Sequence, residues 1–494
     1  MGLYPSAWTL TGNYNRNLSI TDDIKYKRTS SLTRGFTGTM SLKYNVFDNL
    51  TTSFSYSTTR DLSDTGQVNL SLKNFRLGLE TRYGQSFSSS YNPNLLSFLT
   101  STFSYKSNYR DTYSRSSQSR QSTMSRSWSI NGKFEHLKLL GDGKTGSPGR
   151  KSDRSRRGGR GEDSGDEKPE SGKPFYDPPL AVLRFLTGWI QPLSYNYNEG
   201  FSTTLPGMLA RPKWKYRFGF VREVDVATVS EGRTPSSGED KSYQLSSGFS
   251  FLGGLSTTVQ FSQKITRDLV KQGSRYKNVS TSWPDLNISI RKFERFPLIK
   301  GLINKFIDVF SPRTNYGRQI KEQYDIDGGF LRSRSVTISH SPLLSVNFKV
   351  LRSLSLSSTY TLTKGEDEKY NPTTGAFQSQ TRTERKSISV STSYKFSAPG
   401  GISVPLFGKI RFKSTMNISV DVKKNASKSE SKRAGEGWVI STDKSDFSVN
   451  TNISYTFSQQ IKGGLQAGWQ DSSDNFRNRN NHSRTLEGWV EIRF

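Results

Sequence analysis

Apolar side chains in this chain recur at every second position over short runs, and the positions between them are mostly Ser, Thr, Asn or charged. The last stretch shows the pattern cleanly. Leu486, Gly488, Val490, Ile492 and Phe494 fall on one face of an extended strand, and Glu487, Trp489, Glu491 and Arg493 fall on the other. A period of two excludes a helix and calls for a sheet with one apolar and one wet face. Such a sheet needs few apolar residues, which reconciles a hydrophobic content of only 32% with an aromatic content of 12%. Disordered chains are poor in aromatics, so low hydrophobicity does not mean disorder here.

Several function classes drop out early. There is no Cys, so disulfides, thiolate metal sites and a cysteine nucleophile are excluded, and His136, His340 and His482 are far apart in sequence. No apolar run reaches the ~18 residues of a helical membrane span, which says nothing against a transmembrane barrel. A formal charge of +29 suggests nucleic acid or anionic lipid as partner. The Arg and Lys residues are scattered singly along strands, however, and form no nucleic-acid motif, so no nucleic-acid partner is expected. The opening, Met1-Gly-Leu-Tyr-Pro-Ser-Ala-Trp-Thr-Leu10, is not a signal peptide. An exported chain of this kind is therefore expected to be the carboxyl-terminal part of a longer protein.

Alternation starts with Leu42, Tyr44 and Val46, resumes at Phe54 and Tyr56, and continues through Val68–Leu72 and Phe75–Leu79. The connections are too short for parallel crossovers, so hairpins are predicted. Residues 1–140 read as barrel strands and 141–173 as a disordered insertion, basic up to Arg160 and acidic after it. Residues 174–494 read as further strands with short apolar helices near 180–191 and 297–310. Lys133-Phe-Glu135 and Lys292-Phe-Glu294 precede these helices, which gives the look of two diverged copies of one unit. Prolines in Leu205-Pro206, Arg211-Pro212 and Trp283-Pro284 stand before strand-like runs.

Towards the carboxyl end the predicted connections alternate in length. Those at 351–353, 397–409 and 458–460 are short or modest, whereas 363–386, 421–437 and 470–485 read as long charged loops. Transmembrane barrels sort their connections this way, with short turns in the periplasm, where Phe494 would then lie. Tyr360, Tyr394, Phe396, Phe412, Trp438, Tyr455, Phe457, Trp469 and Trp489 are candidates for aromatic girdles. The fold expected is all-β, a large antiparallel transmembrane β-barrel or the C-terminal part of one, of roughly 18 to 24 strands.

The terminal strand ending in Phe494 is similar to the signal that the outer-membrane assembly machinery reads in bacterial barrels. The middle of the chain resembles the SprA family, the cell-surface translocon proteins of the type 9 secretion system in gliding bacteria and their relatives. The resemblance lies in Trp283-Pro-Asp-Leu286 as the start of a strand, Lys292-Phe293-Glu294 with a Pro297-led helix, and Asn315-Tyr316-Gly317. It implies a protein-conducting outer-membrane pore in a diderm bacterium, with lipids, plug or cap proteins, periplasmic partners and secreted cargo around it. Another outer-membrane barrel, such as a lipopolysaccharide or lipid transporter, and a secreted Ser/Thr-rich β adhesin are the alternatives. No catalytic motif and no cofactor site is found, and no enzyme activity is expected.

Overall fold

The computed structural model of the chain describes residues 4–22, 28–63, 68–69, 76–93, 96–139, 187–229, 234–251, 254–271, 273–291, 307–350, 353–404, 408–457 and 460–492. The alternating runs become strands, because branched and aromatic side chains on one face and hydroxyls on the other suit a pleated ribbon. They are β1 (Ala7–Asp22), β2 (Arg28–Phe47), β3 (Leu50–Asp61), β4 (Val68–Asn69), β5 (Arg76–Leu77), β6 (Leu79–Tyr91), β7 (Leu99–Ser114), β8 (Ser119–Phe134), β9 (Leu193–Met208) and β10 (Ser236–Phe251). The second half supplies β11 (Leu255–Val270), β12 (Tyr276–Ile290), β13 (Ile307–Asp325), β14 (Leu331–Val350), β15 (Leu354–Tyr370), β16 (Phe377–Val404), β17 (Gly408–Arg433), β18 (Val439–Thr456), β19 (Ile461–Asp474) and β20 (Arg479–Ile492). Two single-turn helices, α1 (His136–Leu139) and α2 (Trp214–Arg217), lie in connections.

Eighteen of these strands form one antiparallel sheet in which neighbours in sequence are neighbours in space, and β4 and β5 make a separate ribbon. We call "lower" the side at which β1 starts and β20 ends. Strands run alternately up and down from there. Among the described residues β1 and β20 are the two edges and do not pair with each other.

The register is staggered. Trp8, second residue of β1, lies opposite Leu42. The same cross-strand line continues through Phe54, Phe87, Ser107, Arg126, Phe201, Glu239, Arg267 and Lys277 to Tyr324, next to the last residue of β13. A climb of roughly one and a half residues per strand, at ~3.3 Å per residue and ~4.8 Å between strands, tilts the strands by about 45°. That is the stagger a sheet needs to curl into a barrel wall.

Two expectations are corrected by the strand bounds. Residues 363–370 and 377–386 belong to β15 and β16, 421–433 to β17, and 470–474 and 479–485 to β19 and β20. The three long loops are thus strand extensions closed by tight turns. Charge was taken as a loop signal, but a strand that leaves the apolar belt sees water on both faces and keeps its ladder while losing its apolar residues. The second short helix does not extend to 310: Ile307–Phe310 open β13. The remainder of that segment, most of the first helix, the 141–173 insertion and Phe494 lie outside the described residues.

Candidate lining face, apolar belt and strap

Cross-strand partners share a face, so the register sorts the side chains. One face carries Trp8, Leu10 and Leu18 on β1, then Phe249 and Leu245 on β10, Leu344 on β14, Leu465 on β19, and Leu486 and Val490 on β20. These are large and exposed: Leu10 at 70%, Leu486 at 77% and Val490 at 69%. All but Leu18, which stands above Arg16 on β1, lie in the lower parts of the strands. On β8, β10, β15 and β19 the first charges met on this face are Arg126, Lys241, Lys364 and Asp471, roughly eight to ten residues above the lower ends. With strands tilted about 45°, that makes a belt a little over ~20 Å tall, close to the ~25 Å apolar band of transmembrane barrels. Glu199 on β9 enters lower, and there it accepts a 2.9 Å bond from the Tyr197 hydroxyl.

The opposite face is wet. Hydroxyls pair across strands at Thr9 and Ser41 (2.5 Å), Ser53 and Ser88 (2.6 Å), Ser345 and Thr359 (3.2 Å), Ser355 and Ser393 (3.0 Å) and Thr383 and Ser429 (2.9 Å). Lys106, Lys264, Lys321, Lys349, Arg385 and Lys423 share this face, each opposite at least one serine. Among the described strand residues of this face, basic side chains outnumber acidic ones such as Asp240 and Asp421.

Above the belt the first face becomes a ladder of ion pairs. Arg382 bonds Glu366 at 3.2 Å, Lys364 reaches Glu384 at 3.7 Å, and Lys428 pairs with Glu430 at 2.8 Å. In the turns farther up, Arg275 is paired with Asp327 and holds its carboxyl below the usual carboxylate range.

One connection folds back onto the apolar face. The strap, residues 209–229 between β9 and β10, contains α2 and covers β3 and β6 to β9. Its register with the wall is fixed by charge. Asp111, fully buried, accepts bonds from Arg120 (2.7 Å), Arg211 (2.7 Å) and the Tyr109 hydroxyl (3.2 Å). Glu80 accepts from Arg60 (2.9 Å) and also from Arg211, whose guanidinium lies 3.7 Å from the centre of the Tyr83 ring. Tyr216 of the strap joins Tyr83, Tyr109, Met124 and Phe201 in the one buried apolar cluster of the described residues. The run Arg211–Phe218, expected as a strand, is this turn of helix, since Pro212 cannot continue a ladder and Arg211 is held by carboxylates from two other strands.

The residues singled out from sequence are distributed as follows. Leu486, Gly488, Val490 and Ile492 line the apolar face of β20, and Trp489 lies on the wet face against Gly464. Tyr360, Tyr394 and Trp469 stand on the apolar face, Phe396 near its lower border, Phe457 just past the end of β18, and Trp438 in an upper turn between Arg382 (4.3 Å) and Lys432 (5.0 Å). Trp283 and Pro284 do not start a strand: they sit inside β12 at a bulge, where the missing N–H leaves no ladder bond unmade. Tyr316 and Gly317 lie in mid-β13, with the Tyr316 ring 5.0 Å from His340. Lys292, Phe293, Glu294 and Pro297 are outside the described residues. Sequence reading missed the strap, although Trp214, Phe218 and Phe220 at its tip were visible as an aromatic cluster.

No group of three His, Asp or Glu residues able to hold a metal ion occurs among the described residues, and no described helix is long and apolar enough to cross a membrane. No family model and no curated protein matches the chain. Among solved structures it is similar to the alcaligin outer-membrane receptor FauA from Bordetella pertussis, at 8% identity and a TM-score of 0.33, over 97% of this chain and 76% of that one. It is also similar to the siderophore receptor PirA from Acinetobacter baumannii, at 10% identity and a TM-score of 0.29, over 94% and 71% of the two chains. The ferric citrate transporter FecA follows at 8% identity and 0.30, over 100% and 72%.

Proposed function

We infer that this sheet is the wall of an outer-membrane transport channel, with its apolar face in lipid and its hydroxyl-rich, basic face lining a water-filled passage. The observation that carries the reading is the belt of exposed apolar side chains, close in height to the apolar band of transmembrane barrels, on a sheet with barrel stagger. A water-soluble adhesin has no use for such a belt. The role is passage rather than catalysis. The lining favours an extended, acidic or polar cargo, because paired hydroxyls offer no apolar patch to hold it and scattered lysines attract acidic segments. Together with the resemblance to the SprA family, this supports a protein-conducting pore of type 9 secretion, assembled with plug, cap and periplasmic partners and with its chain end in the periplasm. Export of a lipid or lipopolysaccharide is the second reading, favoured by the same basic lining.

The absence of Cys makes the test simple. Single cysteines at Ser357→Cys and Ser391→Cys should react with a membrane-impermeant maleimide in lipid, and those at Leu356→Cys and Val390→Cys should not. Equal labelling of all four would refute the wall. A photo-cross-linker at Ser391 should then trap exported polypeptide; capture of glycolipid would transfer the reading to the lipid transporter.

A further inference from the structure

We propose that the strap is a membrane anchor: its tip, Trp214, Phe218 and Phe220, lies among the acyl chains near the middle of the belt, with the ammonium groups of Lys213 and Lys215 reaching from it towards the upper lipid phosphates. The proposal rests on the lipid-facing reading of the apolar face. Loops in barrels usually avoid lipid, because an unbonded backbone group in hydrocarbon costs several kcal/mol. Here the tip has its backbone bonded internally. The Phe218, Gly219 and Phe220 amides donate to the carbonyls of Trp214 (2.9 Å), Tyr216 (2.8 Å) and Lys215 (2.9 Å). The Phe218 carbonyl accepts from the Tyr105 hydroxyl and the Gly219 carbonyl from Arg126 Nη1, both at 2.6 Å.

The rings lie at belt height. Phe218 packs on Phe54 and Phe87, and Phe220 stacks on Tyr105 at 5.9 Å, all within the lower parts of β3, β6 and β7. Their outer surfaces are uncovered, with Trp214 53% and Phe220 55% exposed. The charged part of the strap, by contrast, meets Asp111 and Glu80 near the upper border. Lys213 and Lys215 flank Trp214 and are exposed, Lys213 being shared with Asp225 at 2.8 Å. An aromatic tip bordered by lysines is the composition that seats at a bilayer interface.

The test uses the whole chain in phosphatidylethanolamine and phosphatidylglycerol vesicles, with a bimane label on Phe220→Cys and, separately, on Trp214→Cys. Some lipids carry a nitroxide on the acyl chain. Leu356→Cys reports the belt and Thr373→Cys an upper turn. The strap labels should lose fluorescence by roughly twofold, as the belt label does. If the belt label is quenched and both strap labels behave like Thr373, the anchor is overturned while the wall stands. If the belt label is unquenched as well, the lipid-facing reading falls and takes the anchor with it. Either strap variant alone suffices should the other fail to fold.

Discussion

Arg211 is where the strap is most exposed to perturbation. Its guanidinium joins two carboxylates on two different strands, Asp111 on β7 and Glu80 on β6, and covers the Tyr83 ring at 3.7 Å. Removing one partner of a buried ion pair costs about 3–5 kcal/mol. In Arg211→Ala each carboxylate keeps a second arginine, Arg120 on Asp111 and Arg60 on Glu80, which lowers the penalty. The lost cation–π contact adds about 1 kcal/mol. The net expectation is about 3 kcal/mol, or roughly a hundredfold larger population of undocked strap. Amide hydrogen exchange at Phe218, Gly219 and Phe220 should therefore accelerate about a hundredfold, with the β15–β16 ladder unchanged as the control. Arg211→Lys should recover only part of the protection, because an ammonium cannot reproduce the planar fork that reaches both acids. Exchange in Arg211→Ala within about twofold of the parent would show that the ion network does not hold the strap.

Other outcomes follow from single sites. Gly219 has φ +75° and an added Cβ would meet Arg126 and Tyr105 at 2.9 Å, so Gly219→Ala should loosen the tip by about 2 kcal/mol in the same exchange experiment. The bond from Arg275 lowers the Asp327 carboxyl below its ordinary 3.8, so the folded state binds that proton more weakly than the unfolded one. The contribution is complete above that ordinary value and declines as the pH falls further. The protection of amides in the turn after β13, taken relative to the intrinsic exchange rate at each pH, should fall on acidification, and Asp327→Asn should flatten the dependence. On the belt, Leu356→Arg should impair folding into lipid by about 2–4 kcal/mol while Ser357→Arg, one residue away on the wet face, should be nearly neutral. Heat-modifiable migration of the two variants measures the difference, and equal effects would mean that the faces have been assigned the wrong way round.

The sheet was legible because period two survives in sequence wherever one face is apolar and the other meets water. Leu354, Leu356, Tyr360 and Leu362 alternate with serines and threonines, and the strand could be read from them alone. Above Leu362 the alternation persists as Lys364, Glu366 and Glu368, but both faces are now wet and hydropathy carries no signal. The information lay in the turns. Asn371 accepts the amides of Thr373 and Thr374 and Gly375 has φ +70°, so Asn371-Pro-Thr-Thr-Gly375 marked a tight reversal within what read as a long loop. The strap was illegible for another reason: its conformation is set by Asp111 and Glu80, about a hundred residues upstream, and no local pattern records such a partner.

Among the described residues β1 and β20 are edges, and on the lipid-spanning reading this makes the wall an all-or-none object. In water, the outward-facing amides and carbonyls along β1 and β20 can be satisfied by solvent, and the sheet can exist with its edges open. In hydrocarbon each such group costs several kcal/mol, and along a strand of 14 to 16 residues the penalty exceeds the whole stability of an ordinary domain. No part of the wall can therefore enter lipid far ahead of whatever covers its edges. Insertion becomes a concerted event, with its rate set by the last seam to zip rather than by the many hairpins already in place.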